Sequence, residues 1–561
     1  MSELSSASDP KINVDNSTWR RTGNTWVHGS GHLYDSFQTA ESLAETIDGV
    51  ATVDELQDIL KELNGFFSII TFIDDRVVLA VDRVSSTPLF YTISNGIHVS
   101  DRSTFLEEHL PGEYDSEVVE EYLHLGYVTG QRTLHKHISQ CQRGQLVVLD
   151  HEEECISDTR QYHSMTFDGQ REPDPGKMRA VLKEVAERIV EYARGETITI
   201  GLSGGLDSRV MAILLARTGY DDIITYTYGL STFTERSDIR IAKQIAHELG
   251  LEHHVVEPTH QDFLEFRESN QWDEYLDQID ILGSVPNVHD TVILRKLREL
   301  ADISANPVDL RGHMPTAADP NAPEFFPAEI VKNEYGKERL AKDMKKLHMG
   351  LWEGDRMGLV DSLIESLPEP AYIETDTEPG EVAAKCYNDI YAERTAKYLS
   401  YNQETNFLNY QEYYPFWDAH FVSYFLSLDL KYLVEGRFWN EFVKDLSEDE
   451  FGTTDLGLGD EEQNSGWIDN VITDGWDVAV TKIDQLPDSC GTAIRYIYRR
   501  YLSGFNRTWE SNPAFGLVSR DEFERYDMPY RHPETFYFLV ICSDTESAIC
   551  THSIIKDALP E

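Results

Sequence analysis

The residues best suited to chemistry form one short string, Gly201-Leu202-Ser203-Gly204-Gly205-Leu206-Asp207-Ser208. Its adjacent glycines allow a tight backbone turn that brings peptide N–H groups close to a ligand. The hydroxyls of Ser203 and Ser208, and the positive end of a helix that begins there, favour an anion at the same place. The string therefore predicts a cradle for a pyrophosphate-like ligand.

One carboxylate, Asp207, lies within this cradle and by itself repels phosphate. It becomes useful if Mg²⁺ bridges the carboxylate and a nucleotide. We therefore expect Asp207 to bind the metal and to be catalytic, and we expect the nucleotide to contact Ser203, Gly204, Gly205, Leu206, Asp207 and Ser208. The string is not a Walker A loop, because G-x-x-x-x-G-K-[ST] is absent. A tight strand–helix turn with a Ser or Asp cap is the purely structural alternative.

Strands and helices alternate around the string. Residues 197–200 predict a buried strand before it, and residues 210–217 predict a helix after it. A strand at Ile223–Tyr228, a helix at residues 238–249 and a strand at Glu252–Val256 follow. This alternation predicts a parallel sheet with right-handed crossovers, which places the string at the carboxyl edge of that sheet.

The first third of the chain has a different pattern. Residues 65–73 and Arg76–Val81 predict two strands at hairpin distance, and Asn95-Gly96 between two further short strands is a strong hairpin signal. Residues 1–55 show little periodicity. We expect a mostly antiparallel β domain with a few helices.

Prolines and a glycine interrupt both periodicities at residues 171–176, which predicts a linker. We expect three parts: a β-rich domain at 1–172, an α/β domain at 177–459, and a mostly helical extension at 460–561.

The string resembles that of the PP-loop ATP pyrophosphatases, and specifically of the asparagine synthetase branch. Other stretches are similar to the same family: Tyr226-Thr227-Tyr228-Gly229, Pro415-Phe416-Trp417-Asp418, and, in the first third, Leu63-Asn64-Gly65-Phe66-Phe67, Asp74-Asp75-Arg76, Asp82-Arg83, Pro88-Leu89-Phe90-Tyr91 and Gly126-Tyr127-Val128. The resemblance implies an α+β, Ntn-hydrolase-like β-sandwich of the glutamine amidotransferase type, then an α/β PP-loop domain with a parallel sheet and a helical C-terminal part.

The resemblance also implies an activity and further site residues. Tyr228 and Gly229 would contact the nucleotide, and Arg437 would replace a late lysine that contacts the phosphates in a catalytic role. The implied cofactors are ATP and Mg²⁺, and the implied substrates are a carboxylic acid, aspartate in the family, and ammonia. The expected reaction is carboxylate adenylation with release of pyrophosphate, followed by amide formation. A homodimer is compatible with the resemblance.

The chain departs from the family at several positions. The family's nucleophilic cysteine follows the initiator methionine, whereas this chain has Ser2 there and its first cysteine is Cys141. The glutamine-binding strings R-G-P and N-G-E-I-Y-N are absent from residues 1–60, so we expect an inactive amidotransferase-like domain. The S-G-E-G-x-D-E loop is replaced by residues 309–316, and a family glutamate falls on Gln411, next to Glu412.

Three alternatives follow from these departures. A ligase of the same fold could act on another acid or another amine. A non-catalytic ATP-binding protein is a second possibility, against which the intact loop argues. A tRNA-modifying PP-loop enzyme is a third, and the charge of the chain disfavours it.

The charge of the chain is unusual: 99 Asp and Glu against 49 Lys and Arg give a net charge of −50 over 561 residues. Such a surface repels phosphate backbones and anionic lipids, so we expect neither nucleic-acid nor membrane binding. The acids are spread along the chain among aromatic residues, which indicates a halophilic protein and not a disordered one. The six cysteines form no C-x-x-C pair, and no apolar run approaches about 18 residues. The first residues contain neither a basic stretch nor an apolar stretch, so we expect no signal peptide. We expect a cytoplasmic protein.

The excess of acids predicts a dependence on salt. Repulsion between carboxylates is weakly screened in dilute buffer and strongly screened at molar ionic strength. Thermal unfolding should therefore shift upward by many degrees between dilute buffer and molar KCl. Sucrose at the same osmolarity serves as a control without ions, and an equal shift in sucrose and KCl would contradict a charge-based origin.

Overall fold

The computed structural model describes residues 9–229, 233–313, 393–400, 407–452, 512–523, 525–526, 533–545 and 555. Its first third contains two stacked sheets. Their strands are β1 (Lys11–Asn13), β2 (Arg20–Thr22), β3 (Thr25–Leu33), β4 (Ser36–Gln38), β5 (Asn64–Ile73), β6 (Arg76–Val81), β7 (Phe90–Thr92), β8 (His98–Ser100), β9 (Ser139–Gln140), β10 (Gln145–Asp150) and β11 (Cys155–Gln161). The larger sheet has the antiparallel order β11-β10-β6-β5-β3-β2, with β4 beside β3. The smaller sheet has the order β1-β8-β7-β9.

Alternating side chains on β5 separate two apolar cores. Phe67 and Ile69 pack against helices α1 (Ala40–Asp48) and α2 (Val53–Glu62), whereas Ile70 faces Tyr91 of the smaller sheet. On the other side of that sheet, Phe90 packs with helices α3 (Ser103–Glu107) and α4 (Ser116–Leu125). Period-2 alternation on buried strands produces this α-β-β-α layering. The predicted Ntn-type sandwich is confirmed.

The structure adds elements within residues 1–55, where the sequence shows little periodicity. Strands β1–β4 and helix α1 lie there, and α2 begins there. Both helices begin after a threonine cap: Thr39 accepts a hydrogen bond from the N–H of Ser42, and Thr52 accepts one from the N–H of Glu55. These N-caps satisfy helix donors that have no partner within the helix, and they are the local signal for both helices.

The second domain is built on a five-stranded sheet in which every pair is parallel. Its strands are β12 (Ile198–Gly201), β13 (Ile223–Tyr228), β14 (Glu252–Val256), β15 (Val308–Leu310) and β16 (Gln411–Tyr413), in the order β14-β13-β12-β15-β16. The helices between them are α5 (Pro175–Ala193, before β12), α6 (Leu206–Ala216), α7 (Phe233–Leu249), α8 (His260–Arg267), α9 (Asn270–Leu276) and α10 (Val288–Leu300). Strand order reverses between β12 and β15, so a crevice opens at the carboxyl ends of these two strands.

The remaining described helices are α11 (Glu393–Ser400), α12 (Ala419–Leu426), α13 (Arg437–Phe451), α14 (Arg520–Phe523) and α15 (Pro533–Thr545). Helix α15 is tied to α8 by an ion pair in which Arg267 donates to both oxygens of Asp544, at 2.7 and 2.8 Å. The three-part division stays a proposal: β11 ends at Gln161, and most of the third part lies outside the described residues. Within the described ranges, no helix is both long and apolar enough to cross a bilayer.

The two domains meet at the buried carboxylate of Asp418, the residue that caps helix α12. Arg188 of α5 donates to both of its oxygens, at 2.7 and 2.8 Å. Asn64, the first residue of β5, donates its amide to Asp418 at 3.0 Å and accepts the N–H of Ala419 at 2.8 Å. One carboxylate therefore joins the β-sandwich, the first helix of the α/β domain and α12.

Removal of the Asp418 carboxylate should destabilise the protein strongly. Asp418→Ala leaves the mostly buried guanidinium of Arg188 without its bidentate partner, so the free energy of unfolding should fall by about 3–5 kcal/mol. Urea denaturation measures this change. The matched control is Asp449→Ala, which breaks the exposed pair with Arg179 and should cost less than about 1 kcal/mol. Equal losses in the two variants would refute the structural role of Asp418.

Candidate active site

The loop between β12 and α6 closes upon its own hydroxyl groups. The N–H of Ser203 donates to the hydroxyl of Ser208 at 3.1 Å, and the N–H of Gly205 donates to the hydroxyl of Ser203 at 3.1 Å. Gly205 caps the helix with its backbone, and Leu206 is the first helical residue. Both serine hydroxyls thus occupy the positions that anion oxygens would take at the helix N-terminus. Gly204 lies between Ser203 and Gly205, the two residues whose N–H groups make these bonds.

The next strand holds the base of the loop in place. The N–H of Leu202 donates to the carbonyl of Tyr226 at 2.7 Å, and the hydroxyl of Thr227 donates to the carbonyl of Leu202 at 2.5 Å. Tyr228 ends β13 with a side chain that is 44% exposed, and the N–H of Gly229 bonds the carbonyl of Val256. The predicted nucleotide residues of β13 therefore lie at the same sheet edge as the loop.

The carboxylate of Asp207 is held by an indole. Trp439 of α13 is 1% exposed and donates its Nε1–H to Oδ1 of Asp207 at 2.7 Å. Its ring packs within an aromatic group that includes Phe416 and Phe442. Arg437, exposed at the start of the same helix, precedes Trp439 by two residues. The structure therefore brings the N-terminal turns of α6 and α13 together, and the proposed phosphate contact of Arg437 stays a prediction.

These groups fit ATP and Mg²⁺ as ligands. Peptide N–H groups, hydroxyls and a helix N-terminus suit phosphate oxygens. Within the part of the chain that the structure describes, no group of three or more His, Cys, Asp or Glu side chains could hold a metal by itself. Mg²⁺ in nucleotide sites usually takes one or two carboxylates and completes its ligands with phosphate oxygens and water. The single carboxylate of Asp207 is therefore enough protein ligand for Mg²⁺ in a site of this kind.

The sequence that replaces the family's S-G-E-G-x-D-E loop begins with a buried ion cluster. The guanidinium of Arg311 lies 2.8 Å from Asp290, 3.1 Å from Asp309 and 3.0 Å from Glu412. Asp309 is fully buried and accepts the hydroxyl of Thr199 at 2.6 Å. Burial raises the pKa of Asp309, which Arg311 and this hydroxyl oppose. The cluster fixes β15 to β12, β16 and α10 at the crevice.

The sequence did not assign a role to Arg311 or Trp439, although each contacts residues at the crevice. The only signal for Arg311 is its place directly after a strand. Gln411 lies at the exposed amino end of β16 and donates to the carbonyl of Asn306, whereas its neighbour Glu412 binds Arg311. Residues 314–316 of the replacement loop lie outside the described residues.

The structure also bears on the expected loss of glutaminase activity. Cys141 is buried between the two sheets of the sandwich, and burial raises the pKa of its thiol. A buried thiol of this kind is a poor nucleophile. Ser2 lies outside the described residues, so its expected inactivity stays a prediction.

Two known protein families match parts of the chain. Residues 35–163 match the glutamine amidotransferase domain family, and residues 179–297 match the asparagine synthase family. A tRNA-specific 2-thiouridylase from Persephonella marina is 39% identical over 69 residues, which are 11% of this chain and 19% of that protein. The chain thus spans about a fifth of the length of this curated relative.

Solved structures give weaker matches. The NH3-dependent NAD synthetase from Campylobacter jejuni is 14% identical, with 42% of this chain and 96% of that chain covered and a TM-score of 0.19. An allosteric regulatory enzyme of purine biosynthesis is 12% identical, with 43% and 62% covered and a TM-score of 0.18. The chain covers less than two thirds of that second protein.

The family matches follow the chain in the order expected from the motifs. The asparagine synthase match includes the whole loop from Gly201 to Ser208, and the amidotransferase match covers most of the sandwich. From the N-terminus to the C-terminus, the chain therefore matches first the glutamine amidotransferase domain family and then the asparagine synthase family.

Proposed function

We propose that this protein is an ATP-dependent amide-forming ligase that resembles asparagine synthetase. The observation that carries the proposal is the Ser203–Ser208 loop at the reversal of strand order, with the carboxylate of Asp207 held on one side. An oxygen of the substrate carboxylate attacks the α-phosphorus of ATP, and the bond to the bridging oxygen breaks to release pyrophosphate. An amine then attacks the acyl carbon, and AMP leaves.

The residues of the chain contribute charge stabilisation and positioning to this reaction. The N–H groups of residues 203–208 and the N-terminus of α6 would bind the β- and γ-phosphates. Asp207 would hold Mg²⁺, which neutralises phosphate charge when bound. The indole of Trp439 donates to Oδ1 of Asp207 and so helps to fix the rotamer of this carboxylate. Tyr228 and Gly229 would contact the nucleotide, and Arg437 would contact the phosphates.

The substrate acid is assigned by resemblance alone. We propose aspartate as the acid and ammonia as the amine, and the product is then asparagine. The buried cluster around Arg311 favours the alternative, a different acid or amine, because it stands where the family has its pyrophosphate-lining loop. We further propose a halophilic, cytoplasmic protein.

The other two possibilities have less support. A non-catalytic ATP-binding protein has no physical need for a carboxylate held by an indole beside an anion cradle. The matched 2-thiouridylase is named as tRNA-specific, but the net charge of −50 opposes contact between this chain and a polyanion. The amide-forming ligase is therefore the function we propose in preference to these two.

The deciding experiment is ATP–pyrophosphate exchange with a panel of carboxylic acids. Radiolabelled pyrophosphate should enter ATP only when the correct acid is present, because the acyl-adenylate must form reversibly. Aspartate is tested first, then glutamate, short dicarboxylates and aromatic acids. Exchange with another acid would retain the reaction class and change the substrate. No exchange with any acid would refute the ligase.

Asp207→Asn should abolish pyrophosphate release with the fold intact by circular dichroism. The amide cannot replace the negative charge that Mg²⁺ requires. Trp439→Phe keeps the aromatic bulk and removes only the N–H donor, so it should lose part of the activity. The control is Asp445→Asn, which changes an exposed carboxylate on α13. Unchanged turnover in Asp207→Asn would remove this residue from the site.

A further prediction concerns the nitrogen source of the reaction. Ser2 replaces the family's cysteine, and a hydroxyl is far less ionised than a thiol near neutral pH. Ammonium should therefore support ATP-dependent product formation, whereas glutamine alone should not. Product formation and glutamate release are measured by chromatography. Glutamate release from glutamine that disappears in Ser2→Ala would show an active glutaminase.

A further inference from the structure

Arg209, in the first turns of α6, is a buried cation with an unusual environment. Arg209 is only 7% exposed. Nη2 donates to the carbonyl of Gly204 at 3.2 Å, and Nη1 donates to the hydroxyl of Ser447 at 3.4 Å. Nε is buried without a hydrogen-bond partner. Among the described residues, no Asp or Glu forms an ion pair with Arg209.

Several other arginines in the described part of the chain do have carboxylate partners, whereas the buried guanidinium of Arg83 donates to the carbonyls of Leu63 and Lys61. Arg188 pairs with Asp418, and Arg267 pairs with Glu522 and Asp544. Arg311 has three carboxylates around it. In a chain with twice as many acids as bases, a carboxylate for Arg209 would be easy to supply. A buried unpaired guanidinium is unfavourable in the free protein, so a compensating function is needed.

The contact between Arg209 and Gly204 connects this charge to the loop. In a trans peptide the carbonyl of one residue and the N–H of the next point in opposite directions. With the Gly204 carbonyl turned toward Arg209, the N–H of Gly205 points away, toward the Ser203 hydroxyl. Arg209 therefore polarises the same peptide group that presents a donor to the anion position.

Resting on the proposed function, we propose that Arg209 is the counter-charge of a pyrophosphate group bound in the loop. The Gly204–Gly205 peptide lies between the guanidinium and the anion, with its carbonyl on the cation and its N–H toward the anion. The negative charge of two linked phosphates would balance the positive charge of Arg209, for which no described Asp or Glu forms an ion pair. Arg209 thus selects a ligand with several negative charges over a neutral or singly charged one.

The test is binding of inorganic pyrophosphate to the full chain by titration calorimetry. Arg209→Met keeps an apolar stem without the charge, and its Kd for pyrophosphate should rise by about tenfold or more. Arg209→Lys keeps the charge and should stay within about threefold of the unmodified protein. Arg217→Met is the matched control, because Arg217 lies just beyond the other end of α6 and pairs with Glu450. Its Kd should not change.

Adenosine, which is uncharged, separates a charge effect from a structural one. Its Kd should be the same in Arg209→Met and in the unmodified protein. An equal weakening for adenosine and pyrophosphate, or equal losses in Arg209→Lys and Arg209→Met, would overturn the counter-charge role. If Arg209→Met does not fold by circular dichroism, the Kd of Arg209→Lys decides by the same threefold limit.

The proposed function and this inference can fail separately. Pyrophosphate binding that depends on Arg209, together with no ATP–pyrophosphate exchange for any acid, would refute the ligase and support the role of Arg209. Exchange that proceeds while Arg209→Met binds pyrophosphate normally would refute only the inference. An unmodified protein that does not bind pyrophosphate at all would overturn both.

Discussion

The carboxylate of Asp418 is the constraint on which the relative placement of the two domains depends. Its two oxygens accept five hydrogen bonds: two from Arg188, one from Asn64, and those of the His420 and Phe421 N–H groups. A buried charge is tolerable only when its hydrogen-bonding capacity is met in this way. Because these donors come from β5, α5 and α12, the sandwich cannot shift against the parallel sheet without exposing or orphaning that charge.

The consequence reaches the candidate site through the chain itself. Helix α12 is fixed by Asp418, and α13 follows after two short 3₁₀ turns. The aromatic side chains of both helices pack together, with Phe421 and Phe425 against Trp439. This packing orients the indole N–H of Trp439 toward the carboxylate of Asp207, to which it donates a hydrogen bond. A charge buried between domains thus sets the rotamer of a carboxylate beside the loop.

The loop differs electrostatically from the buried cluster at Arg311, where three carboxylates surround one guanidinium. At the loop the balance is reversed: Arg209 has no acidic partner among the described residues, and the N-terminus of α6 adds a partial positive charge. Arg437 is exposed nearby on α13. A strongly acidic chain therefore places a buried guanidinium, which has no ion pair among the described residues, next to the loop where phosphates are proposed to bind.

At the candidate site, the sequence predicted the local features and missed the long-range ones, whereas in residues 1–55 it also missed the two helices that begin after Thr39 and Thr52. The strands at Ile223–Tyr228 and Glu252–Val256 have the bounds expected, because their β-branched residues are adjacent in the chain and favour extended backbone. The loop was recognisable for the same reason, since its glycines, serines and helix start are adjacent in the chain. The hydrogen bond between Trp439 and Asp207 joins residues that are 232 positions apart in the sequence, and the bond between Arg311 and Glu412 joins residues 101 positions apart. No single-sequence periodicity carries information at that separation.

The bonds within the loop explain how an anion site can be stable before an anion arrives. N–H groups without an acceptor are unfavourable wherever water is excluded, and here the hydroxyls of Ser203 and Ser208 accept the N–H groups of Gly205 and Ser203. Arg209 holds the Gly204 carbonyl, and Trp439 holds Asp207, so each polar group near the proposed ligand is already oriented. A ligand that replaces the serine oxygens with its own gains charge-assisted bonds at little cost in ordering the backbone. Orientation before binding is what makes fixed dipoles effective in stabilising developing charge, and it makes Ser203 and Ser208 as much a part of the site as Asp207.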